Sequence, residues 1–206
     1  MGVGSKNAVI LSLCVLAAME CSAGAREQAK RMHDRLTGVP ASDAMLDAMV
    51  NAINGSGGSV QAALYAIDGA PSVAATGDFY TVTVKNWVTP WTNEEQDVFA
   101  PLNDYSATVI GMVRDELDFR DILSGNIIYR GAIAGIPPYS GSDNRHYEAL
   151  EASGRNLADP TVLVRDSQSA VTGLPDAAVA GVMSTRAAAR AFFVDGTNRA
   201  MFRFTL

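Results

Sequence analysis

The chain has 206 residues, 22 acidic against 16 basic, for a net charge of −6. That balance excludes the basic face a nucleic-acid footprint requires, and no Lys/Arg block points to an anionic membrane surface. Both cysteines, Cys14 and Cys21, fall in the opening segment.

That opening segment has the pattern of a cleaved export signal. Met1 to Asn7 carries one lysine, Lys6. Ala8 to Met19 is apolar except for Ser12, and Ala23 and Ala25 put small residues where a signal peptidase reads. The apolar run is about 12 residues, short of the roughly 20 that span a bilayer. The expected product begins near Arg26 and is periplasmic or extracellular, with residues 1–25 removed. Lipidation of Cys21 is disfavoured by Glu20 directly before it. Cleavage at this point removes both cysteines. The remaining chain then has no disulfide, no thiolate zinc site, no iron–sulfur cluster and no covalently held haem. No later segment is apolar enough to span a membrane.

About 180 residues remain, enough for one domain with a real core or two small ones. We read 26–206 as a single, mainly α domain: an irregular set of helices joined by long loops, with a few short extended pieces. Arg26 to Leu36 is helix-like and ends before Thr37-Gly38-Val39-Pro40. Ser42 is placed to cap a second helix, with Ala44, Met45, Ala48, Met49, Ala52 and Ile53 at helical spacing. Asn54-Gly55-Ser56-Gly57-Gly58 breaks it. Ser59 then caps a third helix through Ile67, with Val60, Ala63, Leu64 and Ile67 on one face.

Phe79 to Trp87 fits two patterns. Tyr80, Val82 and Val84 alternate with Thr81, Thr83 and Lys85 as in a strand, and the same residues can pack as a buried helix. Thr92-Asn93-Glu94-Glu95 has the Thr-x-x-Glu form of a capping box. Asp104 to Glu116 reads as a helix whose buried face holds Tyr105, Thr108, Val109, Met112 and Val113. Asp118 to Leu123 adds a helical turn or two, and Ile127-Ile128-Tyr129 is extended. A Gly/Pro loop spans 132–141. Asp143 caps a helix carrying His146, Tyr147, Leu150 and Glu151. Thr161 to Val164 is extended, Ser184 to Phe193 is an alanine-rich helix, and Asn198 opens a last element. That element has no stop signal, which suggests the front part of a longer protein.

Chemistry-bearing residues are sparse. His33 and His146 are the only histidines and share no ligand spacing. His146, between Arg145 and Tyr147 just past the Gly/Pro loop, is the better candidate for a site. Gly-x-Ser-x-Gly is absent, and the glycine-rich 55–58 stretch lacks the Lys-Ser/Thr of a phosphate loop. The aspartates show no calcium-loop register. Asp115, Glu116, Asp118 and Asp121 interleave with Arg114 and Arg120, as in helix-surface ion pairs. Trp87, Trp91, Phe99 and Tyr105 make an aromatic belt. Its plain role is core anchoring; its functional alternative is stacking on sugar rings.

Three stretches resemble exported bacterial cytochrome-like proteins. They are Pro90-Trp91-Thr92-Asn93 with Pro101 to Gly111; Asp118-Phe119-Arg120-Asp121-Ile122-Leu123 with Tyr129 and Arg145-His146-Tyr147; and Ala180 to Thr185 running to Asn198-Arg199-Ala200-Met201-Phe202. Together they cover about residues 79–206. In those relatives a Cys-x-x-Cys-His segment follows; here it is absent. The resemblance implies an accessory or scaffold domain that docks a haem-carrying module of the same polypeptide. Haem c would then lie downstream of this chain, with no cofactor held inside it. His146, Met183 or Met201 would be the residues able to offer a distal ligand. The other readings are a sugar- or polymer-binding module using Trp87, Trp91 and Tyr105, and an enzyme built on His146 and Tyr147.

Overall fold

A computed structural model describes residues 24–93 and 95–194. Residues 1–23 of the expected export signal, Met201 and the element expected from Asn198 lie outside the described residues. Those that are described are mainly helical, with two short antiparallel strand pairs. None of their helices is long and apolar enough to cross a membrane. Contacts divide the chain into two compact units between Ala75 and Thr76.

The first unit is built on α1 (Ala25–Thr37), α2 (Asp43–Asn54) and α3 (Gly58–Asp68), followed by a tight hairpin of β1 (Gly69–Ala70) and β2 (Val73–Ala74). The Ser42 hydroxyl caps α2 by accepting from Met45 N–H at 3.2 Å, as its position in the sequence requires. The core joins Ala29, Met45, Leu46, Met49, Ala52, Ala62 and Ala66. The start of α3 differs from expectation. Gly57, not Ser59, is its N-cap, and Ser59 lies inside the helix. Its buried residues are Ala62 and Ala66, while Val60 is 72% exposed and Leu64 is also exposed. Alanines let α3 lie close against its neighbours, a gain that the size-based reading of the apolar face overlooks.

His33 is structural. It is buried on α1, where Nδ1 lies 3.2 Å from Val39 O and 3.1 Å from the Thr37 hydroxyl. Thr37 also donates to Val39 O at 3.0 Å, so the two side chains close the end of the helix.

The second unit is organised around α5 (Asp104–Arg114). Leading into it, Phe79–Val84 is a π-helical stretch that continues as α4 (Lys85–Val88) and a 3-10 turn, Thr89–Thr92. The ambiguous segment is therefore helical, with Tyr80, Val84 and Val88 buried on one side. The capping box expected at Thr92 does not form, because no helix starts there; the Thr92 hydroxyl instead accepts from Asn103 Nδ2 at 2.9 Å. The box is at Asn103 and Ser106, at the head of α5.

Asp104 to Met112 is buried on every side, so α5 is a central rod and not a half-buried helix. One side meets the hairpin of β3 (Ile128–Gly131) and β4 (Leu163–Asp166). There Gly111 is required: a Cβ would stand 2.2 Å from the Tyr129 ring. Another side joins a cluster of Val88, Tyr105, Val109, Val182, Ala187, Ala188, Ala191 and Phe192. The remaining elements are a 3-10 turn (Phe119–Leu123), α6 (Arg145–Ala152), α7 (Gln168–Thr172) and α8 (Arg186–Ala189), which passes into a π-helical turn, Arg190–Val194. The cap of α6 departs from expectation. Asn144 is its N-cap residue, and Asp143 accepts from Arg145 N–H at 3.1 Å from outside the helix.

Candidate functional site

The sequence-predicted site residues fall into two groups, both in the second unit. The aromatic belt forms in part. Trp87 and Trp91 meet edge to face with ring centroids 4.6 Å apart, and Trp91 meets Tyr105 at 6.3 Å. Tyr105 is buried in the core, and burial pushes its hydroxyl up to about 12. Trp91 is half-buried against the same core cluster. Of these three rings Trp87 is exposed, at 53%, and Phe99, outside the stack, is 86% exposed. The three stacked rings anchor α4 to α5 more than they build a platform.

His146 and Tyr147 form the second group, with Tyr139. The His146 ring meets Tyr147 at 4.9 Å and Tyr139 at 6.5 Å. His146 is buried on α6. Gly131 N–H donates to Nε2 at 3.0 Å, and Nδ1 lies 2.7 Å from Pro137 O. An accepting Nε2 leaves the proton on Nδ1, which donates to the carbonyl. Both nitrogens are used in tying the Gly/Pro loop and β3 to α6, so the ring has no lone pair for a metal and no free proton for a substrate. Tyr147 donates to Tyr129 O at 2.8 Å, and burial holds its hydroxyl well above the ordinary tyrosine range. Met183, the other described candidate for a haem ligand, packs partly buried against the core. Among the described residues, no group of three or more His, Cys, Asp or Glu could hold a metal ion.

Asp104 is a residue the sequence reading gave no role. It is fully buried, and its carboxylate accepts from Arg186 N–H at 2.7 Å, Ala187 N–H at 3.0 Å and the Tyr139 hydroxyl at 3.2 Å. Burial and this carboxylate push the Tyr139 hydroxyl above the ordinary range. Asp104 thus fixes the start of α8 to the start of α5 and brings the loop tyrosine to the same point.

Fixing α8 there places Arg186 in a cleft of about 470 Å³. Thr92, Asn93, Asn103, Asn144 and Ala187 contribute to its lining, with Glu95, Asp97, Glu148 and Arg190 as its other charged residues. An adjoining cleft of about 430 Å³ shares Asn144, Glu148, Arg186 and Arg190 and extends to Ser142 and Asp143. The three asparagines are largely spent on the walls. Asn93 holds the 89–97 turn, Asn103 caps α5, and Asn144 donates to Leu102 O at 2.8 Å. Arg186 is different. Its Nη2 donates to Asn144 Oδ1 at 2.6 Å, its buried Nε has no partner, and it joins no ion pair among the described residues. A half-buried guanidinium without a paired carboxylate is costly.

A signal for Arg186 was present in the sequence. Positions 182, 183, 189 and 190 are Val, Met, Ala and Arg, so no acid stands three or four residues away to pair with it. No known protein family, curated protein or solved structure matches this chain.

Proposed function

We propose that the second unit is a ligand-binding module whose site is the Arg186 cleft. The observation that carries this is the Arg186 guanidinium, without an ion pair among the described residues, held by Asn144 and set beside a polar hollow of about 470 Å³, within the usual 300–1,000 Å³ range of small-molecule sites. The aromatic stack supports the site from behind. Trp91 packs on a cluster that includes Ala187 and Ala191, and both of these also line the cleft. The sugar-platform form of this reading is weakened by the burial of Tyr105, and the enzyme form by the committed nitrogens of His146. An exported setting beside a haem-carrying module, with haem c held downstream, is proposed on the sequence resemblance alone.

The test is tryptophan fluorescence of the full chain titrated with a panel of sugars, amino acids and short peptides. The expected result is a saturable change for at least one class, lost in Arg186→Ala with an unchanged near-ultraviolet circular dichroism spectrum. A panel with no saturable change at millimolar concentration contradicts the reading.

A further inference from the structure

Resting on that reading, we infer that the ligand is a zwitterion, a short peptide whose carboxylate meets Arg186 and whose ammonium group meets the acidic side of the cleft. The argument is one of charge and size. Among the described residues Arg186 has a buried Nε without a partner and no carboxylate in an ion pair with it, and it lies on the wall shared by both clefts. The carboxylate nearest to it in the chain's own wiring, Asp104, is already saturated by backbone N–H groups and by Tyr139. That carboxylate meets Arg186 through the backbone, and among the described residues no other carboxylate forms an ion pair with the guanidinium. A carboxylate suits it, since the guanidinium fork matches two oxygens at once.

The same cleft carries Glu95, Asp97 and Glu148 against Arg186 and Arg190. Three negative groups and two positive ones disfavour a multiply charged anion such as a phosphate ester, because like charges in a confined site repel strongly. They favour a ligand that brings one negative and one positive end. Glu148 is tied to the same wall through Asn144, whose Nδ2 lies 3.4 Å from Glu148 Oε1 and whose Oδ1 holds Arg186. One asparagine thus orders a cation and an anion side by side, a polarity that a zwitterion can match end for end. The size agrees: a cleft of about 470 Å³ with an adjoining hollow exceeds what one amino acid fills and suits two or three residues. A carboxylated sugar would satisfy Arg186 but leave the acidic groups facing hydroxyls alone.

The experiment is isothermal titration of the full chain with trialanine, its C-terminal amide, its N-acetyl form and tri-galacturonate. Trialanine is expected to bind, with affinity falling at least tenfold for the amide and several-fold for the N-acetyl form. In Arg186→Gln the acid and the amide should become equal, and Arg186→Lys should restore part of the difference. Comparing ligands on the unaltered protein makes the result independent of whether a variant folds. An amide that binds as tightly as the acid, or an N-acetyl form that binds as tightly as trialanine, overturns the inference. Binding of tri-galacturonate in place of the peptides overturns it while leaving the binding-module reading intact. Absence of binding by all four probes and by the wider panel overturns both.

Discussion

Asp104 and Asp118 show how differently one residue type acts in two settings. Asp104 is buried and accepts from three groups on other segments. Asp104→Ala strands those donors and should cost about 3–5 kcal/mol in urea unfolding of the second unit. Asp118 pairs with Arg120 at the surface, and Asp118→Ala should leave the urea unfolding midpoint nearly unchanged. Asp143 is a third case. Hydrogen bonds from the Arg145 side chain and backbone hold its carboxyl down at about 2. Its contribution is therefore present above the ordinary aspartate range and is lost as pH falls toward 2. Carboxyl NMR titration should place Asp143 near 2, and Arg145→Ala should move it back up. Asp115 shows the same direction by a balance. Burial opposes its ionisation, but hydrogen bonds from Arg114 and Tyr129 outweigh that and lower it.

At the scale of elements, helix 104–114 depends on one close approach. A Cβ on Gly111 would overlap the Tyr129 ring, which is itself fully buried and whose hydroxyl donates to Asp115 at 2.5 Å. Gly111→Ala should therefore destabilise the second unit by about 3 kcal/mol in chemical denaturation, since the added methyl falls on the buried Tyr129 ring. The elements most legible in the sequence are those with local causes. Ser42 announces α2, and the apolar spacing announces α5. Elements set by tertiary packing were less legible. Val60 and Leu64 look like a core stripe, yet the smaller Ala62 and Ala66 are buried because they allow close helix contact. Thr92-x-x-Glu95 has the right letters for a capping box, but a box needs a helix after it. Asn103 and Ser106 have that helix, although an Asn-x-x-Ser pair is a weaker signal than Thr-x-x-Glu. The site divides in the same way. The grouping of Trp87, Trp91 and Tyr105 could be read from their neighbours along the chain, whereas the structural ties of His146 to Gly131 and Pro137 could not. The Asp104–Arg186 relation joins residues far apart in sequence, and nothing local marks it.

Across the whole molecule, the buried tyrosines set an alkaline limit. Burial raises Tyr105 to about 12, and Tyr129, Tyr139 and Tyr147 are also raised. Unfolded tyrosine ionises near 10. A raised folded value means that the native state keeps protons the unfolded state gives up, so stability is full below about pH 10 and falls as pH rises beyond it. Thermal melts between pH 8 and 11 should be flat to about pH 10 and then drop, and Tyr105→Phe should reduce the drop. The same buried network, with His146 and Asp104 at its centre, gives the cleft a rigid wall, so ligand binding should proceed without large backbone change.

The most direct measurement is the NMR signal of the Arg186 Nε–Hε pair, assigned by its absence in Arg186→Lys, while trialanine is added to the full chain. If Arg186 is the carboxylate socket, this signal moves in a saturable way with trialanine and stays in place with the C-terminal amide. A signal that is unmoved by either, while other resonances report binding, contradicts the assignment of the cleft to Arg186.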